Sequence, residues 1–371
     1  MKPLPLILTM TTVGIALGAG LWVYFNPIKQ SADAPVQNPG SSLDNVTLTE
    51  FDSQGNLIWE IKATKANYSQ DNLTAEIVTV SGKFYRAGKV LIEAKGKAGT
   101  VNQKERKITI DGDIKAKLLN ENIQITADRM VWQADDDLLT ATGNIQINQP
   151  DRQIALVGKS LKAVPSASRF TLEQSVKVTS AQPPILVETP SLTWEAPKGI
   201  VRIDVPFKAT HKTEDLTLNA AKGVWQIPEQ VLKLPQSVLI KAPKRDWQVT
   251  SRNLEWRIGQ NLVNLTEPLE ITSPSRGYTL TSQRGKVDFS SQLIQLQGDV
   301  KGASTNNQSM ITADRATWNI PQQIVTAQGN VFYRQAQSQL DVRGDRAVAD
   351  LATQKVEVFS QSGVESQLVL D

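Results

Sequence analysis

The chain has 371 residues, a net charge of +3, 40 % hydrophobic residues, no cysteine and one histidine. That composition excludes disulfide frameworks, cysteine-bound metals, a lipidated N-terminal cysteine and paired-histidine metal sites. A charge so close to zero neither requires nor forbids an anionic partner.

Residues 4–25, LPLILTMTTVGIALGAGLWVYF, carry no charge. As a helix they would be about 33 Å long, enough to span a hydrocarbon core of about 30 Å. Trp22 and Tyr24 lie at the far end, where interfacial aromatics belong, and Lys2 lies at the near end. This pattern predicts a single-pass anchor over residues 1–25 with the N-terminus cytoplasmic and the rest translocated across the inner membrane, although Lys29 weakens the charge asymmetry. A cleaved signal peptide is the competing reading, with Ala32-Asp33-Ala34 as its best site. Residues 26–45 are rich in Pro, Ser, Gln and Gly and read as a flexible tether.

From Val46 onward the chain carries a 31-residue repeat, the interval from Trp194 to Trp225 and again to Trp256. Trp132 recurs as Trp194, Trp225, Trp256 and Trp318. Leu139 recurs as Phe170, Val201, Leu232, Val263, Ile294, Val325 and Val356. Ile145 recurs as Val176, Phe207, Val238, Leu269, Val300 and Val331, and Ile125 as Leu156, Val187, Leu218, Val249, Leu280, Ile311 and Val342. Within each copy the apolar positions step by two, which places them on one face of a pleated strand. Turn words such as Gly143-Asn144, Gly298-Asp299 and Gly329-Asn330 separate the segments. Each unit is therefore expected to give three or four short strands. No unit can bury its apolar face alone, so residues 46–371 are read as one stacked all-β array with continuous apolar ribs.

Sites of chemistry are scarce. Gly158-Lys159-Ser160 lacks the upstream glycine of a phosphate loop and reads as a turn. Asp135-Asp136-Asp137 reads as a solvated loop tip, His211 as an exposed turn, and the recurring Asp128-Arg129, Asp314-Arg315 and Asp345-Arg346 as edge or turn residues. No catalytic residue, metal site or cofactor is expected. The ribs are first of all a core. If the two walls do not close fully, the same ribs line a long apolar trough suited to acyl chains, and its expected lining is Trp132, Ile145, Trp194, Phe207, Trp225, Val238, Trp256, Leu269, Val300, Trp318 and Val331.

The unit ADRMVW…LLTATGNI over 127–145, repeated as ADRATW…IVTAQGNV over 313–331, resembles the OstA-like repeat of lipopolysaccharide-transport proteins. An N-terminal anchor, a short tether and repeats together resemble LptC, in a form about twice the usual length. The resemblance implies an elongated, twisted β-jelly roll of two facing antiparallel sheets with lipopolysaccharide acyl chains between them. It also implies no hydrolysis by this chain. The implied partners are lipopolysaccharide, an Lpt-type ABC transporter at the N-terminal edge near Val46 to Trp59, and an LptA-like bridge protein at the C-terminal edge near Leu340 to Leu370, joined by edge-strand pairing. No nucleic-acid partner is implied. Two other readings stay open: an AsmA- or TamB-like phospholipid bridge, and a purely structural envelope solenoid. If residues 1–25 are the anchor, deleting them moves the protein from membranes to the soluble fraction; retention in membranes after carbonate washing would overturn the assignment.

Overall fold

The computed structural model describes residues 41–369 apart from 52–53, 87, 120–121, 134, 165–166, 182–183, 213–214, 307, 351, 354 and 361–362. The expected anchor, and the tether up to residue 40, lie outside the described residues. The described chain is all-β and antiparallel, without an α-helix, and every strand joins one continuous hydrogen-bonded system.

Strands β1 (Ser42–Phe51), β2 (Leu57–Tyr68), β3 (Thr74–Arg86), β4 (Lys89–Asn102), β5 (Lys107–Leu118), β6 (Ile123–Gln133), β7 (Leu138–Gln149), β8 (Ile154–Val164), β9 (Arg169–Ser180) and β10 (Ile185–Glu195) form a meander, each paired with the next. The first strand begins at Ser42, ahead of Val46. From β5 to β10 each strand breaks register near its middle. In β6 and β7 the pairing runs Gln124–Thr126 against Gln146–Asn148, then shifts, then resumes with Arg129–Gln133 against Leu138–Thr142. The halves on one side of the shift form a first wall, and the halves on the other side form a second.

The corner between the walls has a chemical cause. Gly112-Asp113, Gly143-Asn144, Gly298-Asp299 and Gly329-Asn330 all have positive φ at both residues. Two left-handed residues in succession re-aim a strand while keeping it paired on either side, as a bulge does. Asn144 donates its side-chain N–H to the Asp128 carboxylate at 2.8 Å, and Asn330 does the same to Asp314 at 2.9 Å. Asp128 and Asp314 are thus corner clamps. Lys97 and Asp113 form an ion pair at the matching corner, and the lysine hydrogen bond holds the Asp113 carboxyl below its ordinary range.

After β10 the same corners are filled differently, and the strands split. The first half of β10 pairs with β12 (Phe207–His211) and the second with β11 (Ile200–Ile203). One ladder continues through β13 (Leu216–Ala220), β16 (Val238–Ala242), β17 (Trp247–Ser251), β20 (Leu269–Ser273) and β21 (Tyr278–Ser282). The other continues through β14 (Gly223–Gln226), β15 (Val231–Leu234), β18 (Leu254–Arg257), β19 (Leu262–Leu265) and β22 (Arg284–Asp288). Both rejoin on β23 (Leu293–Ser304). Pro206, Pro235 and Pro268 sit in the corner gaps. A proline donates no ladder hydrogen bond, so the strand ends on each side of it. A repeat unit is therefore two long strands where the corner is Gly-Asn and four short ones in this middle stretch. The long-strand meander resumes with β24 (Ser309–Asn319), β25 (Ile324–Gln335), β26 (Leu340–Asp350), β27 (Lys355–Ser360) and β28 (Gly363–Val369).

Along the corner runs a spine in which large and small residues alternate from strand to strand. Ile114 faces Ala127, Ile145 faces Gly158, Phe207 faces Ala220, Leu269 faces Ser251 and Ser282, Val300 faces Ala313, and Val331 faces Gly344. The walls converge here, so two large side chains cannot share a rung. A Cβ on Gly344 would collide with the Phe359 carbonyl oxygen and lie 2.8 Å from Val358. Gly344→Ala is accordingly expected to destabilise the protein by about 1–3 kcal/mol, read as a lower thermal midpoint with unchanged strand content by circular dichroism.

Candidate ligand-binding trough

Moving outward from the spine, the walls separate and enclose a cavity of about 2820 Å³. This exceeds the roughly 300–1,000 Å³ of a small-molecule site several-fold. Along the second wall it runs from Leu161 on β8 to Val356 on β27, about 60 Å at the usual inter-strand spacing.

Two ribs of the first wall line it. One is Ile125, Leu156, Val187, Leu218, Val249, Leu280 and Ile311; the other is Ile147, Val178, Ala209, Ile240, Ile271, Gly302 and Tyr333. The second wall contributes Phe170, Val201, Leu232, Val263, Ile294 and Val325, interleaved with Trp194, Trp225, Trp256 and Trp318. Neighbours across the ladder put these together: Trp225 pairs with Val201 and Leu232, and Trp256 with Leu232 and Val263. The indole N–H groups of Trp225, Trp256 and Trp318 are buried without an acceptor.

Of the residues expected to line a trough, Trp194, Phe207, Trp225, Trp256, Leu269 and Trp318 reach this cavity. Ile145, Val238, Val300 and Val331 sit on the spine, only 1–3 % exposed, and do not reach it. Trp132 is packed in the N-terminal core, its ring 6.3 Å from that of Phe84 in an edge-on contact. On the first wall the Ile125 and Ile147 ribs line the cavity together with the spine residues Phe207 and Leu269. Ile145 and Ile147 point to the same face, and only their distance from the Gly143-Asn144 corner separates core from lining. That distance is readable in the sequence, once the glycine is recognised as a corner rather than the end of a strand.

Charge is confined to the mouth, where the turns of each wall lie. Asp246 accepts hydrogen bonds from the Ser273 hydroxyl at 2.6 Å and from the Ser275 hydroxyl and backbone N–H, which hold its carboxyl below the ordinary range. Asp288 accepts from the backbone N–H groups of Ser290 and Ser291 at 2.9 and 3.1 Å, and its pKa is lowered for that reason, the Ser291 bond first. Asp246 is thus held by the end of β20 and the turn that follows it, and Asp288 by its own turn. His211 is the last residue of β12 rather than part of an exposed turn, and it is half-buried on the cavity rim. Among the described residues no group of His, Asp and Glu is placed to hold a metal. The arrangement presents a largely apolar lining to the cavity.

An open trough has a stability signature. Leu234 is fully buried on the spine side of the second wall, whereas Ile271 is half-buried on the lining. Leu234→Ala is expected to cost about 2–5 kcal/mol, and Ile271→Ala about 1–2 kcal/mol, because Ile271 keeps part of its surface on the trough and its truncation enlarges an open space instead of creating a closed cavity. Equal losses in denaturant unfolding would mean that the walls are closed in solution.

The chain matches the family described as lipopolysaccharide-assembly, LptC-related, over residues 11–181 and 244–364. No curated protein matches it. Two solved structures align at 7 % identity: the extracellular domain of a one-component system from B. thetaiotaomicron, with 87 % of this chain and 80 % of that one covered at a TM-score of 0.12, and that of a hybrid two-component system from the same organism, with 87 % and 81 % covered at 0.11. Scores so low carry no argument about the fold. The family match spans most of the chain; its first block runs from residue 11 into the repeats, and its second lies wholly on them. The chain belongs to the LptC-related family of lipopolysaccharide-assembly proteins, non-enzymatic components of lipopolysaccharide transport.

Proposed function

We propose that this protein carries lipopolysaccharide outward by holding its acyl chains in the trough between the two walls. The observation that carries the reading is the cavity itself: about 2820 Å³, lined by in-register aliphatic and tryptophan ribs, with its charged groups at the mouth. Transfer of apolar surface from water at about 25 cal/mol per Å² supplies affinity without specific polar contacts. Residues 1–25 would anchor the chain in the inner membrane and residues 26–45 tether it, with the array in the periplasm. Edge strand β1, which pairs on one side with β2, would take the periplasmic part of an ABC transporter, and the C-terminal edge an LptA-like bridge protein. The trough is long enough for this chain to cover part of the path that a separate bridge protein covers elsewhere.

The test is a photocrosslinking scan in cells making lipopolysaccharide, with lipid identified by mass spectrometry of the purified full-length protein. A photoreactive residue at Leu280 or Val249 is expected to capture lipopolysaccharide, and one at spine residue Val238 to capture none. Phospholipid in place of lipid A-type glycolipid would favour a phospholipid bridge. No lipid at either lining position would leave the ribs as a core only.

A further inference from the structure

The first wall changes character at its last inward-facing positions, next to the mouth. Two residues beyond the Ile147 rib, and on the same face by the period of two, lies a column that reads Gln149, Ser180, His211, Ala242, Ser273 and Ser304, each one repeat from the next. All but Ala242 line the cavity. Two residues before the Ile125 rib, an interleaved column reads Ile154, Ile185, Leu216, Trp247 and Tyr278, and all of these line it too. The ladder sets the two columns side by side. Ser180 pairs with Ile154 and Ile185, His211 with Ile185, and Tyr278 with Ser273 and Ser304. The first-wall lip is thus mixed. Except at Ala242, a hydrogen-bonding side chain stands on every second strand, about 10 Å from the next, between large apolar ones, and Tyr278 and Met310 are exposed on the same rim.

These polar groups lie one step outside the aliphatic ribs. When hydrocarbon fills the trough they lose their water. A hydroxyl, amide or imidazole left facing hydrocarbon opposes binding unless the ligand brings a hydrogen-bonding group to the same depth. Ser273 donates its hydroxyl to Asp246 at 2.6 Å. Ser304 is 8 % exposed, and its buried hydroxyl has no partner. A buried hydroxyl in that state gains a hydrogen bond when an acceptor reaches it. The ligand chemistry that satisfies ribs and column together is a hydrocarbon chain ending in a carbonyl, an acyl chain joined to its head through an ester or an amide. Its carbonyl lies one step outside the chain, as the polar column lies one step outside the ribs. An alkyl ether offers only a weak acceptor at that depth.

We infer that the Gln149–Ser180–His211–Ser273–Ser304 column binds the acyl carbonyls of the amphiphile in the trough, fixing how deep its chains sit and selecting acyl over alkyl linkage. The inference rests on the trough reading above, and adds selectivity to its apolar affinity. It is tested by titrating the detergent-solubilised full-length protein with a glucosyl diacylglycerol brominated in its chains, and with the dialkyl ether counterpart. Quenching of the trough tryptophans reports the occupancy of each. The parent protein is expected to bind the diacyl form about fivefold more tightly, and Ser180→Ala with Ser304→Ala to lower that ratio to about twofold. Equal affinity of the parent for the two lipids would overturn the inference, whether or not the variant folds, and so would a parent-like ratio in the variant. A parent protein quenched by neither lipid would instead fail the trough reading itself, and this inference with it.

Discussion

The packing at the corner governs this protein. Every strand pair must turn from one wall to the other without losing its neighbours, and the converging backbones leave room for one large side chain per two rungs. Gly143 shows how tightly this is drawn. Its φ is +75°, and a Cβ there would collide with Asp128, the residue that holds Asn144 across the bend. The large members of the spine act as wedges that set the opening angle. Ile145, Val176, Val238, Val300 and Val331 are each 1–3 % exposed. Closing the walls further would have to expel them.

That wedge explains why an apolar trough stays open in water. Backbone hydrogen bonds are satisfied within each wall, so neither wall needs the other for its ladder. What remains is a contest between the spine and the tendency of the ribs to collapse on one another. Side-chain length decides it. Near the N-terminus Phe84 and Trp132 are long enough to meet across the gap, and they are buried in one core with Trp59. Farther along, the first wall presents Val187, Leu218, Ile240 and Val249, which are too short to reach the opposite ribs, and the cavity persists. Open and closed stretches thus share one backbone plan and differ in which residues occupy the ribs.

Much of this was legible in the residues alone. The repeat register, the period of two and the turn words specify an antiparallel stack with continuous ribs, and the words around 127–145 and 313–331 carry the family. The sorting of ribs was harder to read. Ile145 and Ile147 have the same hydrophobicity, the same face and the same recurrence, yet one is spine and the other lining, because depth depends on distance from a bend that sequence periodicity does not display. The tryptophan column divides for a similar reason. Trp132 on β6 meets Phe84 on β3, a contact between walls and between distant strands that has no local signature, while Trp194, Trp225, Trp256 and Trp318 face open space. The split strands of the middle stretch were written in Pro206, Pro235 and Pro268, whose effect on the ladder is local and calculable once those positions are known to be corners.

The repeat also explains how such a trough can lengthen. The family match leaves residues 182–243 between its two blocks, a gap as long as two whole repeat units. A whole unit adds an even number of rungs to each wall and returns the chain to the same corner, so ribs on either side of it remain continuous and each unit contacts only its neighbours. An insertion of any other length would break this. One residue more or less would turn the lining of every later strand outward and bring its polar face into the trough. The middle stretch tolerates a change in the corner itself, from Gly-Asn to proline, because the wedge and not the turn chemistry sets the angle: Phe207 and Leu269 occupy the spine there as Ile145 does in the long strands. Growth by whole units along an unbroken spine is therefore a route by which one chain can lengthen an apolar trough without acquiring a second fold.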